Sequence, residues 1–518
     1  MKKLLLATIV ALALVMQLTQ EYRFYAKETE NLWLNDYSWI MQHLEYPSGP
    51  AQLLTSAFTQ FYGLPGIGAV GSALLFGLML AVGAKMFRLL KIKKIYTSWL
   101  LLPITFMMLC HENSFFNLNG NTATVLALAS AWLYILTGIF IDIRFHDQKK
   151  RLTVSAVWAI MLTSASYWLA GSATIVMVAI AIVYELLWRH NFASLSAVAV
   201  AIVASVWLWV GHSPIADIRF ALTPLLYYEW PSTFFFPLYA WISTLLIILA
   251  GHFLSTRKED GDTFSKGDTI LLAISILAIS FIFGNLFMAT HNADVYQSRK
   301  DEWMARNQDW KGIIESHEGS KKPTPFMSYL NLALAHEGIL CERIMKFHPY
   351  IVNGKGVIIM SQSEQSYEAQ KLQSLFCRTI GGPMICNAQK AALEANLLTA
   401  GNTDPEELKT LALTSYVFDA PDVAQKYLRR LSLTTLHGKW AREMLANPAS
   451  LMQEAEQIRK TLPQTDIFYF KTQISKMLSL AVEQNPDNQI ASQFLEAYKM
   501  VAKGVMTTKG NESEPIFQ

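Results

Sequence analysis

Six polar side chains lie beside the apolar runs of this sequence, and their types are suited to chemistry: Glu21, Asp36, His111, Glu112, Arg219 and Glu229. A carboxylate such as Glu21 or Asp36 can serve as the catalytic general base that deprotonates a hydroxyl. An arginine such as Arg219, helped by His111, can bind a substrate phosphate and stabilise it as a leaving group. Glu21 is the sharpest candidate, because it follows an apolar run directly, at a depth where an unpaired charge is costly.

The same side chains also have ordinary structural explanations. Glu21 and Asp36 can be interfacial charges or helix caps, and His111 can simply hydrogen-bond to a neighbour. Arg219 can pair with Asp217, two residues away, or bind lipid headgroups. The sequence leaves both interpretations open.

Apolar runs predict the helices that must position these residues. The chain is 52% hydrophobic and only 16% charged. A run of about 20 apolar residues is typical of a membrane-spanning helix, because backbone polar groups find no water in lipid. Nine such runs lie at about 4–19, 65–87, 96–110, 122–142, 153–169, 171–188, 193–211, 235–254 and 268–289. We therefore predict an all-α fold, with a polytopic transmembrane helical bundle over residues 1–291.

The positive charges between the predicted spans indicate their orientation. With the N-terminus in the cytoplasm, 15 Lys and Arg residues fall on the cytoplasmic side of residues 1–291. Only Arg23, Lys27 and Arg219 fall on the outer side. The bias places the segment after residue 291 outside the cytoplasm, and it puts all six candidate side chains on the outer face.

The first apolar run also has the form of a secretory signal. Lys2 and Lys3 precede it, as in a signal peptide, but no small-x-small cleavage site follows between Gln17 and Glu21. We favour an uncleaved anchor, with a cleaved signal as the alternative.

The outer loop over residues 20–64 is predicted to contain an amphipathic helix. Between Ala51 and Tyr62, one helical face carries Leu53, Leu54, Ala57, Phe58 and Phe61. Such a helix is expected to lie flat on the membrane surface.

The tail over residues 292–518 has the pattern of a soluble helical domain. A turn at Asn307–Asp309 separates two amphipathic stretches, and Ala424–Leu431 repeats the pattern of a second helix. These units resemble tetratricopeptide repeats, which stack into a surface that binds a protein or peptide. An irregular helical bundle is the alternative.

One pair of cysteines is a candidate for a disulfide bond. Cys377 and Cys386 lie close in sequence, so a disulfide between them is expected if the tail is extracytoplasmic. Buried free thiols are the equal alternative. The sequence has no Cys/His zinc spacing, Walker loop, GxSxG, HExxH or dinucleotide fingerprint. We expect no cofactor and no nucleic-acid partner, and nothing indicates a divalent metal site.

Several segments together resemble an uncharacterised family of bacterial inner-membrane proteins, over nearly the whole chain. They are the first span ending in a carboxylate, Pro47-Ser48-Gly49-Pro50, Gln52-Leu53-Leu54, Phe58-Thr59-Gln60-Phe61-Tyr62, Pro65-Gly66, Leu330-Asn331-Leu332-Ala333-Leu334-Ala335 with Gly338, and Ala424-Gln425-Lys426-Tyr427-Leu428-Arg429. The resemblance implies localisation in the bacterial inner membrane and brings no activity with it.

The membrane half is also similar, more weakly, to glycosyltransferases of the GT-C fold. The resemblance implies a polytopic enzyme that uses a lipid-linked sugar, with a catalytic carboxylate in the first outer loop. Glu21 or Asp36 matches that carboxylate by position in the topology. Residues 20–64 contain no Asp-Glu or Asp-x-Asp pair, so the acidic pair of several GT-C families is missing.

Three functions follow as hypotheses. The first is a glycosyltransferase that moves a sugar from a polyprenyl-phosphate donor at the outer membrane face, in contact with membrane lipid. The second is a membrane scaffold without enzymatic activity, whose repeat-like tail binds an envelope protein. A transporter ranks third. Charged residues within the predicted spans are scarce, which argues against an ion-coupled transport mechanism.

Overall fold

A computed structural model describes residues 2–30, 32–113, 115–212, 217–228, 235–255, 266–319, 327–347, 405–461 and 474–508. Every regular element in these residues is helical, and they contain no strand. This confirms the all-α fold. The chain divides into two compact units, Met1–His291 and Asn292–Gln518.

Twelve α-helices are described in the first unit. They are α1 (Lys2–Glu30), α2 (Tyr37–Leu44), α3 (Gly49–Thr59), α4 (Ile67–Leu89), α5 (Leu101–Leu109), α6 (Asn119–Arg144), α7 (Gln148–Ala170), α8 (Thr174–Tyr184), α9 (Phe192–His212), α10 (Ile218–Leu222), α11 (Phe236–Ser255) and α12 (Lys266–Thr290). Short 3₁₀ helices cover Lys94–Leu100, Cys110–Glu112, Gly171–Ala173 and Pro224–Tyr227, and a π-helix covers Glu185–Arg189.

Within the described residues, seven helices are long and apolar enough to cross a membrane: Leu5–Glu28, Ile67–Leu89, Asn119–Arg144, Gln148–Arg189, Phe192–His212, Phe236–Ser255 and Gly267–Thr290. The first and last expose much apolar surface, with Leu18 81% exposed and Met288 79% exposed. Apolar surface of this kind is stable against lipid and unstable against water. A membrane protein is therefore supported, whereas the predicted number of nine spans is not confirmed by these helices.

The segment Gln148–Arg189 reverses its direction at Gly171. This glycine has a φ of +55°, a left-handed conformation that residues with a Cβ rarely adopt. Arg189, after the end of α8, hydrogen-bonds to Ser155, near the start of α7. The two ends of the segment therefore lie side by side, so α7 and α8 form a hairpin.

Helices α1 and α4 approach each other closely, because glycines on α4 face large side chains on α1. A Cβ built on Gly68 would lie 2.5 Å from Cβ of Phe24, and one built on Gly77 would lie 2.5 Å from Cδ1 of Ile9. Small residues that bring backbones together are typical of helix packing in membranes. This contact fixes the rotation of α1, and so decides which of its polar residues point into the bundle.

Helix α3, which the sequence pattern predicts to lie flat on the membrane surface, packs against α6 and α7. Its hydroxyl-bearing side is buried, and Thr55 Oγ1 lies 2.7 Å from Thr122 Oγ1 on α6. Thr55 and Thr59 each donate to a carbonyl one turn earlier in their own helix. Because their hydroxyls are satisfied locally, these residues can be buried, and the apolar Leu54 is left 49% exposed.

The described helices of the second unit are short. They are Ala293–Arg306, Trp310–His317, Met327–His336, Leu340–Phe347, Pro405–Val417, Pro421–Ser432, Gly438–Ala446, Ala449–Thr461, Ile474–Gln484 and Gln489–Thr508. Gln493 joins distant parts of this unit, because its amide donates to Ala335 O and accepts from Leu340 N. The predicted turn at Asn307–Asp309 does separate two helices, but a tetratricopeptide architecture is not confirmed.

The close contact at Gly68 gives a stability prediction. Gly→Ala in a helix interior ordinarily stabilises by about 0.5–1 kcal/mol. At Gly68 the added methyl group collides with Phe24, so Gly68→Ala lowers the unfolding temperature of the purified protein in detergent. Gly284→Ala on α12 is the matched control, because a Cβ there meets no atom within 4 Å. Equal unfolding temperatures for the two variants would contradict the packing of α1 on α4.

Candidate functional site

Six buried polar side chains and the partly exposed His291 converge at the end of the first unit where α1 meets the 3₁₀ helix Cys110–Glu112. We name it the Glu112 cluster, and its members are Gln20, Arg23, Lys27, His111, Glu112, Asn121 and His291. Gln20, Arg23 and Lys27 are spaced by three and four residues, so they share one face of α1.

The carboxylate of Glu112 is the centre of this cluster. Its side chain is only 1% exposed, and its Oε2 lies 3.1 Å from Nη2 of Arg23 and 2.8 Å from Nδ1 of His291. Oε1 accepts a 3.0 Å hydrogen bond from Gln20. Arg23 also donates to the backbone carbonyl of Glu112 at 2.8 Å. A buried carboxylate held by two basic side chains and an amide is a strongly constrained group.

Lys27 positions the loop that follows Glu112. Its Nζ donates a 2.8 Å hydrogen bond to the backbone carbonyl of Phe116. The ring of Phe116 is fully buried against Tyr228, at 5.1 Å between ring centroids. The ammonium group of Lys27 is thereby kept in the buried end of the bundle, close to the Arg23 guanidinium along the same helix face.

His111 is a buried neutral imidazole. Its Nε2 lies 2.9 Å from Nδ2 of Asn121, and the rings of Phe24 and Phe76 meet it edge-on. Burial, together with the positive charges of Lys27 and Arg23, lowers the pKa of His111 to about 3. Its Nδ1 and Oδ1 of Asn121 are buried without a hydrogen-bond partner. Such atoms are costly unless a water or a ligand satisfies them.

The cluster has the parts that proton transfer and anion binding require. Beside an ionised Glu112, Nδ1 of His291 carries the hydrogen, and in the neutral imidazole the other ring nitrogen then holds a lone pair that can accept a proton. This is the arrangement in which a carboxylate orients a general base. Arg23 and Lys27 supply positive charge in a site shielded from water, where electrostatic stabilisation of an anion is strongest.

The predicted site residues are only partly brought together. His111 and Glu112 are both in the cluster. Glu21 is half-buried on α1 and accepts a 2.8 Å hydrogen bond from Tyr25, four residues along. The first helix continues to Glu30, so Glu21 lies within it, although the sequence placed this residue just after the span.

Asp36 and Arg219 have structural partners outside the cluster. Asp36 is the N-cap of α2. Hydrogen bonds from the hydroxyl of Ser38 and from the backbone N–H of Trp39 hold the pKa of its carboxyl below the usual range. Arg219 is 74% exposed and pairs with Asp217 at 2.7 Å. Glu229, Cys377 and Cys386 lie outside the described residues.

Five members of the cluster were not predicted from the sequence, and Asn121 is one of them. Gln20, Arg23 and Lys27 were assigned to a loop, yet their three- and four-residue spacing is a helical signal that continues from the first apolar run. His291 follows the last apolar run directly, as Glu21 was thought to follow the first. Its pairing with Glu112, 179 residues earlier, has no sequence signal.

The described residues contain no group of three or more His, Cys, Asp or Glu side chains that could hold a metal ion.

The chain belongs to the family of unknown function DUF6057, whose model matches residues 1–509. No curated protein and no solved structure matches the chain.

The ion pair between Arg23 and Glu112 gives a second stability prediction. Arg23→Met leaves a carboxylate buried without its main partner, which costs about 3–5 kcal/mol. We expect a large fall in unfolding temperature in detergent, and partial recovery in the double variant Arg23→Met/Glu112→Gln, which removes both charges. Arg219→Met removes the exposed pair and should leave the unfolding temperature unchanged. Similar values for Arg23→Met and Arg219→Met would show that the buried pair does not form.

Proposed function

We propose that this member of DUF6057 is an integral membrane glycosyltransferase that moves a sugar from a polyprenyl-phosphate donor to an acceptor hydroxyl at the Glu112 cluster. The observation that supports it most is the pairing of Glu112 with His291 beside Arg23, at the ends of helices long enough to cross a membrane. Buried charges beside membrane helices are costly, and they are commonly functional.

In the proposed reaction, His291 accepts the proton of the acceptor hydroxyl while Glu112 stabilises the resulting imidazolium. The acceptor oxygen forms a bond to the anomeric carbon of the sugar, and the bond from that carbon to the phosphate oxygen breaks. The electron pair of this bond leaves with the polyprenyl phosphate. Arg23 and Lys27 offset the negative charge that develops on the phosphate.

This proposal moves the base away from the two carboxylates first considered. Asp36 is occupied as an exposed helix cap, and Glu21 is bonded to Tyr25. Glu112 is buried and pairs with the partly exposed His291, and it lies in the same cluster as both cations and the unsatisfied atoms of His111 and Asn121. The general base must lie near the cations, because proton transfer and stabilisation of the leaving group act on the same bound substrates.

The proposed topology keeps nine spans in the bacterial inner membrane. The hairpin at Gly171 divides Gln148–Arg189 into two crossings, and Lys94–Leu109 would supply the remaining short one. With the positive charges inside, the Glu112 cluster faces outward and the second unit is extracytoplasmic, where lipid-linked sugars are used by the GT-C enzymes that this half resembles.

A second candidate function is a membrane scaffold, in which the tail binds an envelope protein. Successive short helices such as Pro405–Val417 and Pro421–Ser432 pack in pairs, which suits a tetratricopeptide-like binding surface. The two functions can coexist in one chain, because they use different units.

The transfer reaction is tested with purified protein in vesicles, a radiolabelled polyprenyl-phosphate sugar and a soluble acceptor. His291→Ala should reduce transfer about 10²–10⁴-fold, the usual contribution of a general base. Arg219→Met, and the double variant Glu21→Gln/Asp36→Asn, should transfer at the wild-type rate. Wild-type transfer by His291→Ala, or its loss in the double variant, would contradict the assigned base.

Binding of the donor's lipid is tested separately by native mass spectrometry with sugar-free polyprenyl phosphate. The wild-type protein should retain the lipid, and Lys27→Met should retain less of it, because one phosphate-binding charge is lost. Arg219→Met is the matched control, with an exposed cation removed. Failure of the wild-type protein to retain polyprenyl phosphate would reject the proposed substrate class.

The scaffold function is tested by crosslinking in native membranes and by deleting residues 292–518. We expect one reproducible envelope-protein partner and loss of the cellular phenotype on deletion. An unchanged phenotype without crosslinked partners would reject this second function.

A further inference from the structure

A second buried charged group lies where α6, α7 and the π-helix Glu185–Arg189 meet. Arg189 forms a two-pronged contact with Asp142, with distances of 2.8 Å from Nε and 2.7 Å from Nη2. The same guanidinium donates to Oε1 of Glu185 at 2.8 Å and to Ser155 at 2.9 Å. The side chain of Glu185 is 0% exposed.

The group contains only one buried guanidinium for its two carboxylates. Two carboxylates, Glu185 and Asp142, share the single guanidinium of Arg189. Arg151 approaches Asp142 only to 3.9 Å and is 39% exposed, so water screens its charge. Asp142 is itself 36% exposed and can be hydrated. The uncompensated charge therefore falls on Glu185, the carboxylate with no access to water.

The two oxygens of Glu185 have unequal surroundings. Oε1 accepts hydrogen bonds from Arg189 and from the hydroxyl of Tyr134, both at 2.8 Å. Oε2 is buried and has no hydrogen-bond partner. A bare carboxylate oxygen away from water is among the most costly groups in a protein, and neutralisation is the ordinary way to avoid the cost.

The local backbone supports a specialised role for this position. Glu185–Arg189 is a π-helix, a rare feature that is frequently found at functional sites, and His190 follows it with a φ of 52°. The groups around this site are Tyr134 and Asp142 on α6, Arg151 and Ser155 on α7, and Tyr184 on α8, and α9 also packs against the π-helix.

We propose that Glu185 is a proton-binding site inside the helix bundle, where a proton taken up from water forms the Oε2–H bond. Protonation leaves Arg189 and Asp142 as a one-to-one pair, and the buried group becomes neutral. The site shares no residue with the Glu112 cluster, so it holds whether or not the proposed transferase activity does.

Infrared difference spectroscopy of the full chain in lipid vesicles tests this site. A protonated buried carboxyl group has a carbonyl band that a carboxylate lacks, and we expect this band near neutral pH. Glu185→Gln should abolish it. Tyr134→Phe should shift it to higher wavenumber, because Oε1 is then the carbonyl oxygen and loses one hydrogen-bond donor. Asp36→Asn, which alters an exposed carboxylate, should leave the band unchanged.

Two further measurements keep the test decisive. Size-exclusion profile and helical circular dichroism of each variant establish that it is folded, and Glu185→Asp should retain a shifted band if Glu185→Gln is unfolded. Exchanging Na⁺ for a large organic cation should not change the band. The absence of a band assignable to Glu185 at any pH from about 4 to about 9, or its replacement by a Na⁺-dependent signal, would overturn the proposal.

Discussion

The pairing of one buried carboxylate is the interaction on which the first unit depends. Glu112 cannot be left ionised among membrane helices without partners, because neither lipid nor the helix interior solvates a charge. Its partners come from the first helix, through Gln20 and Arg23, and from the end of the last helix of this unit, through His291. One short 3₁₀ helix is thereby tied to both ends of the membrane segment of the chain.

Helix packing explains why this pairing can occur. Gly68 and Gly77 let α1 lie close against α4, and the resulting rotation of α1 turns Gln20, Arg23 and Lys27 inward. Apolar residues such as Leu18 are then directed outward. Because a helix is rigid, small residues at one contact can position a polar site several turns away.

The membrane character of the chain could be predicted from the sequence, because long apolar runs have few alternatives to a spanning helix. The site could be predicted only in part. His111 and Glu112 were found from their place beside an apolar run, but Arg23 and Lys27 were treated as loop charges because hydropathy falls at Gln20 before the helix ends at Glu30. The helical spacing of residues continues beyond the point where hydropathy drops. A hydropathy criterion therefore assigns the polar end of a helix to a loop.

Other differences arise from contacts that no local pattern contains. Thr55 and Thr59 look like the water-facing side of an amphipathic helix, yet they are buried because their hydroxyls bond to their own backbone. Glu185 and Arg189 look like a pair at the end of a span, and only the fold brings Asp142 to them. The sequence shows which residues are charged, but their ion-pair partners depend on which helices are neighbours in the fold.

The central claim is that Glu112 is held inside the bundle by Arg23 and His291. Cryo-electron microscopy of the full chain in lipid nanodiscs, at a resolution that shows side chains, measures this most directly. The account predicts that the Glu112 carboxylate contacts both basic side chains, with Lys27 on the carbonyl of Phe116. A Glu112 side chain that points into lipid or bulk water, with Arg23 bound elsewhere, would contradict it.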